Sequence, residues 1–246
     1  MTQEPIKSEQ APLSEEDKPP SPDSDSLITP LPLAQAIRAL PRQYFRAVTK
    51  PSVVTFSEEM GKASWNIVWV QLIGLGIITA LLDLLRILIS PLHFAVLNTF
   101  TLLTVISPII TVPLTFFIAM SIAYGIAKAF GGRGTFLAQS YIALLPYVPL
   151  TILGQLLTLL DPFIRPSASG PISSHTVTSI LILFTAAGFG FVLLIYRVVA
   201  QVLGIMAVHR LTGGKAATVI IVPTAVILII NFFSGLFLTF ALGLLH

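Results

Sequence analysis

The sequence predicts an all-α membrane protein. It has five transmembrane helices and two Gly-Gly helical hairpin turns, preceded by a disordered tail and an interfacial amphipathic segment. Three observations predict this class. Apolar residues make up 54% of the 246-residue chain and charged residues only 10%, well below the roughly 25% charged residues of a soluble domain. The apolar residues fall in long charge-poor runs, each long enough to cross a hydrocarbon core. A short basic grammar also occurs twice between such runs: Lys128-Ala129-Phe130-Gly131-Gly132-Arg133 and, 82 positions later, Arg210-Leu211-Thr212-Gly213-Gly214-Lys215. A cation, two residues, a glycine pair and a second cation suit the tight turn of a hairpin at the face where positive charge collects.

Composition also excludes classes. The formal net charge of +3 is the sum of two unlike parts, −5 over residues 1–30 and +8 over the rest. The cations stand at the ends of apolar runs rather than on one face of a soluble domain, so they are assigned to the membrane interface and not to nucleic acid. The chain has no cysteine, which removes disulfides, thiolate metal sites and a cysteine nucleophile. The start is acidic and proline-rich, unlike the basic, early-apolar pattern of a signal peptide.

Residues 1–30 hold seven acids and six prolines. Such a segment cannot bury enough apolar surface to offset its chain entropy and is predicted to be disordered. Residues 31–62 form the predicted cytoplasmic or interfacial segment. Ile37, Leu40, Tyr44, Phe45 and Val48 recur at helical spacing with Arg38, Arg42 and Arg46 between them. This pattern suits a helix lying among anionic headgroups. Pro41 and Pro51 argue against one long helix.

The membrane domain is predicted over 63–246, with helices at about 65–89, 99–127, 136–160, 176–208 and 216–245. Trp65 and Trp69 suit a membrane entrance. Asp83 and Arg86 share a face near the far end of the first helix. They read as an ion pair meeting water at the far interface, with a gated pair or polar-substrate site as the alternative. The second run is uncharged and contains Pro108 and Pro113, which neighbours can accommodate in a membrane. Pro146 and Pro149 predict a bent or locally unwound third helix. Arg197 is either an intramembrane cation, hence a functional candidate, or a residue that snorkels to the interface beside Tyr196. Asn231 lies inside the fifth run. The Lys/Arg distribution places the N-terminus and both glycine turns in the cytoplasm and the C-terminus outside.

At the two turns the chain resembles the Yip1-domain family of five-span membrane proteins. The resemblance is carried by Gly131-Gly132-Arg133-Gly134-Thr135-Phe136 leading to Ala143-Leu144-Leu145-Pro146, and by Ala207-Val208-His209-Arg210-Leu211-Thr212-Gly213-Gly214-Lys215-Ala216. The segment Pro51 to Trp65 is similar to that of bacterial members. The resemblance spans roughly residues 35–246 and implies that similar turns open helices three and five. For eukaryotic relatives it implies binding of Rab-type GTPases and a role in vesicle traffic. The aspartate-leucine-tyrosine-glycine-proline motif of those relatives is absent from this sequence.

Catalytic groupings are not found. The four histidines lack metal-ligand spacing, and there is no Gly-x-Ser-x-Gly elbow. Gly213-Gly214-Lys215-Ala216 approximates a phosphate loop but has Ala216 where magnesium binding needs Ser or Thr. The chain is therefore expected to be non-enzymatic and to need no cofactor. Its expected partners are the bilayer, anionic headgroups at the cytoplasmic face, and a protein partner or a second copy of the chain. The expected role is to organise membrane or recruit a partner; the alternative is a small transporter using Arg197 and Asn231.

Overall fold

A computed structural model describes residues 32–89, 99–159 and 174–243. The acidic tail over 1–30, the far-side loop containing Asp161 and Arg165, and the last three residues lie outside the described residues. Every described element is helical: α1 (Leu33–Thr49), α2 (Val53–Met60), α3 (Trp65–Ile89), α4 (Thr99–Ile106), α5 (Pro108–Ala129), α6 (Phe136–Thr158), α7 (Ser174–His209) and α8 (Gly213–Gly243).

Four stretches are long and apolar enough to cross a membrane: Trp65–Ile89, Pro108–Ala129, Phe136–Thr158 and Phe184–His209. With α8 as the fifth span, the protein is a multi-pass integral membrane protein. The helices are packed by their small and apolar faces. α3 lies against α5 and α6, α6 against α7, and α8 against both α5 and α7. Gly76 permits the closest of these approaches, since a Cβ there would stand 2.8 Å from the Ile109 Cα and 2.9 Å from the Pro108 carbonyl oxygen.

Exposed large apolar side chains outline the lipid-facing belt. They run from Trp69 to Ile89 on α3, from Leu102 to Ile122 on α4 and α5, and from Leu181 to Val199 on α7. At about 1.5 Å of rise per residue each stretch is about 27–30 Å long, the thickness of a bilayer hydrocarbon core. Beyond Val199 the last ten residues of α7 leave the belt, and most of them are buried. They are buried in a cap formed at the end of the bundle that carries both glycine turns.

Several predicted details are corrected. Pro41 lies inside α1, and the break falls only at Pro51. Ile37, whose carbonyl loses its partner to Pro41, is on the outer face, where that carbonyl can be solvated. The predicted 99–127 helix is two helices, interrupted at Ser107, with Pro108 as the first residue of α5. There the missing proline N–H costs nothing, because the first turn has no helical acceptor to offer it. Conversely, α6 stays helical through both Pro146 and Pro149, with no unwound stretch. Finally, α8 starts at Gly213 rather than near 216, so Gly213, Gly214 and Lys215 occupy its first turn. The second hairpin bends at Arg210, which has φ 54°.

Arg210 thus holds a left-handed conformation that costs a non-glycine residue about 1 kcal/mol. Arg210→Gly is expected to raise the thermal midpoint slightly in detergent; a lower midpoint would show that the arginine side chain compensates for its backbone.

Candidate functional site

Two regions concentrate polar groups: the cap at the turn end and a cavity between α5, α6, α7 and α8.

The cap is built from the first turn outward. Gly131 has φ +82°, a conformation suited to glycine. The Gly132 amide donates to the Ala127 carbonyl at 2.9 Å, closing the end of α5. The Arg133 amide donates to the His209 carbonyl at 3.3 Å, which joins the first turn to the second. Thr135 then caps α6, its hydroxyl accepting from the Ala138 amide at 3.2 Å. The two turns predicted from sequence are therefore in direct contact at one end of the bundle.

Beneath them lies a buried polar chain. Gln139 donates to the Met120 carbonyl at 3.2 Å, which leaves its Oε1 to accept from His209 Nε2 at 2.8 Å. His209 is 1% exposed, its ring packs 5.9 Å from that of Tyr124, and Lys128 Nζ stands 5.3 Å from the Tyr124 ring centroid. One histidine thus ties α5, α6 and the end of α7 together.

The α1–α2 hairpin docks onto this end. Ala36, Leu40, Gln43 and Ala47 form the buried stripe of α1. Of the stripe read as facing the headgroups, Leu40 is buried and Tyr44 and Val48 are half-buried, while Ile37 and Phe45 face outward. The Tyr141 hydroxyl donates to Gln43 Oε1 at 3.1 Å, the Tyr44 hydroxyl donates to Gln71 Oε1 at 3.0 Å, and the Tyr196 hydroxyl donates to the Val48 carbonyl. Burial pushes the Tyr44 phenol above its ordinary range, so it stays a hydrogen-bond donor. On α2, Glu59 has a nearly inaccessible side chain (3% exposed) held by Lys62 at 2.8 Å and Arg46 at 3.6 Å. Arg46 also meets Glu58 at 2.5 Å. Removing the Tyr141 hydroxyl (Tyr141→Phe) is expected to cost about 1 kcal/mol. It should be read as faster proteolysis or hydrogen exchange in α1; unchanged protection there would show that the hydrogen bond does not hold the hairpin.

The cavity has a volume of about 300 Å³ and is lined by Thr115, Phe116, Met120, Tyr147, Arg197, Gln201, Val219 and Thr224, among others. The Arg197 guanidinium stacks over the Tyr147 ring, 4.1 Å from its centroid. Arg197 is only two residues inside the Val199 edge of the belt, and it lines the interior of the bundle.

The other singled-out residues are elsewhere. Asp83 and Arg86 interact with each other on α3 toward the opposite end of the belt and do not line this cavity. Asn231 lies in α8 on a stretch whose side chains fall outside the described residues. Sequence reasoning missed Gln43, Gln71, Gln139 and Glu59. The available signal for two of them was a glutamine set among apolar residues, at Gln71 and Gln139.

No curated protein and no solved structure gives a significant match to this chain. The family model of the Yip1 domain matches residues 45–235, most of the chain. That span begins within α1 and includes both turns and the five spans, ending in the last third of α8. The joined turns, the five-helix architecture and this match lead to one conclusion: the chain belongs to the Yip1 domain family.

Proposed function

We propose that the protein is a non-enzymatic organiser of its membrane, which engages anionic lipid and recruits a partner through the cap formed by α1, α2 and the two turns. In this reading the cap and the N-terminus face the cytoplasm and the C-terminus faces outside. One observation carries the proposal. The α1–α2 hairpin is tied to the bundle by the Tyr44–Gln71 and Tyr141–Gln43 hydrogen bonds and closed on itself by Arg46 with Glu58 and Glu59, and its outward face carries Arg38, Arg42, Arg46 and Lys50 with Phe45 and Val54. Each cation held near an anionic leaflet contributes about 1 kcal/mol, and Phe45 and Val54 can add apolar burial among the headgroups. The trafficking role of eukaryotic relatives is extended to this chain as an analogy of architecture.

The test uses the full chain in nanodiscs of neutral or anionic phospholipid. Hydrogen exchange in α1 should be slower in the anionic discs, and Arg38→Glu/Arg42→Glu should erase the difference. Equal exchange in both lipids would remove lipid engagement from the proposal. Proteins that co-purify with the wild-type chain in mild detergent and are lost from the same double variant would identify the recruited partner.

A second reading, a small permease, draws support from the proline-bearing helices and the Arg197 cavity. Solute flux in proteoliposomes that is lost in Arg197→Ala or Asn231→Leu would favour it over the first.

A further inference from the structure

We propose that the Arg197 cavity is a binding site for the oxyanion head, carboxylate or phosphate, of a membrane-derived amphiphile. The inference is independent of the cap and of any transport activity.

Arg197 lies within the apolar belt, where a cation is costly unless it is paired or reaches water. Among the described residues its guanidinium makes no ion pair. Its neighbour is instead the Tyr147 ring face. A ring face stabilises a cation, and the Tyr147 hydroxyl accepts a hydrogen bond from the guanidinium, but one neutral partner does not satisfy five N–H donors. Stacking also holds the planar group still, so that its remaining donors are fixed in the fork that carboxylate and phosphate accept.

The walls set the rest of the ligand. Phe116, Met120, Val219 and Pro223 are buried apolar surfaces, while Gln201 and Thr224 add polar groups. A volume of about 300 Å³ is at the small end of ligand sites, enough for a head and the start of a chain. Two lining residues are exposed, Thr115 on α5 and Leu194 on α7. Both lie inside the belt, so the opening faces hydrocarbon rather than water. A soluble anion would have to cross that hydrocarbon, whereas a lipid or fatty acid is already there. A net-negative head is preferred over a zwitterionic one, because among the described residues no carboxylate lines the cavity to receive the cationic part.

The test is thermal unfolding of the delipidated full chain in a non-ionic detergent, followed by the fluorescence of Trp65 and Trp69. The probes are dodecyl phosphate, dodecanol and inorganic phosphate. Dodecyl phosphate should raise the midpoint in a saturable way, and dodecanol and inorganic phosphate should not. Arg197→Gln should weaken the apparent affinity by about tenfold or more, the scale of a lost charge-assisted pair. Ala119→Leu keeps the arginine and fills the cavity, so it should weaken binding as well and guards against a folding defect in Arg197→Gln. An equal shift with dodecanol would overturn the proposal, as would wild-type affinity in either variant. A shift with inorganic phosphate alone would overturn the amphiphilic part and assign the site to a soluble anion.

Discussion

Gly134→Ala is expected to destabilise the protein by about 3 kcal/mol, the range of a badly overpacked core substitution. A Cβ at position 134 would stand 2.7 Å from the Val208 carbonyl oxygen and 3.0 Å from its carbonyl carbon. These are backbone atoms, so a rotamer change cannot relieve the clash, and the two turns would have to separate. Separation would strain the Arg133–His209 link and the His209–Gln139 pair with it. Gly132→Ala should behave similarly, since its Cβ would lie 2.6 Å from His209 Nδ1 and 2.7 Å from the Ala127 carbonyl oxygen. Gly131→Ala meets open space and carries only the conformational cost of φ +82°, about 1 kcal/mol. Gly214→Ala also meets open space, but inside a helix, so it should be neutral or stabilising by up to about 1 kcal/mol. Thermal unfolding of the four variants in one detergent tests this order. A Gly134→Ala protein as stable as Gly214→Ala would mean that the two turns do not touch.

The second large effect is expected from removing both cations that hold Glu59. Arg46→Ala/Lys62→Ala leaves a carboxylate with 3% of its side chain exposed and no remaining ion-pair partner among the described residues. Stranding a buried charge in this way costs about 3 kcal/mol or more. Either single variant should cost much less, because the remaining cation is partly exposed and free to adjust. Adding Glu59→Gln to the double variant should recover part of the loss, since an amide is less costly to bury than an unpaired charge. The measurements are thermal midpoint and protease sensitivity of the α1–α2 hairpin. If the triple variant were less stable than the double, Glu59 would be held by something other than these two ion pairs.

Much of the fold was legible from the chain because membrane helices are selected by length and hydropathy, which are local properties. The starts of α3 and α6 at Trp65 and Phe136 follow from local cues. Ser64 and Thr135 supply the first-turn acceptors for the amides of Ile67 and Ala138. Proline was read less well. Its cost depends on where the freed carbonyl points, so Pro41 and Pro146 are carried inside helices while Pro108 opens one. The glycine pairs looked equivalent in sequence. They differ because Gly131 holds a positive φ and Gly132 lies against His209 of α7, whereas Gly213 and Gly214 meet only open space or loose van der Waals contact.

The candidate sites were legible in part. An arginine in an apolar run announces itself by its cost, which is why Arg197 was visible. Its ring partner Tyr147 stands 50 positions away on another helix, and only packing brings the two together. The same holds for His209 with Gln139 and for Tyr141 with Gln43.

By itself, the sequence determined the class, the spans, the grouping of positive charge at one end and the membership of the Yip1 domain family. All of these depend on hydropathy, charge and motif order along the chain. Only the tertiary structure decided that the two turns are one contact, that α1 buries a stripe of Ala36, Leu40, Gln43 and Ala47, and that Arg197 faces a cavity. Each of those depends on which side chains meet across helices, and in a bilayer such meetings are set by close packing and buried hydrogen bonds rather than by hydrophobicity, which is the same for protein and lipid.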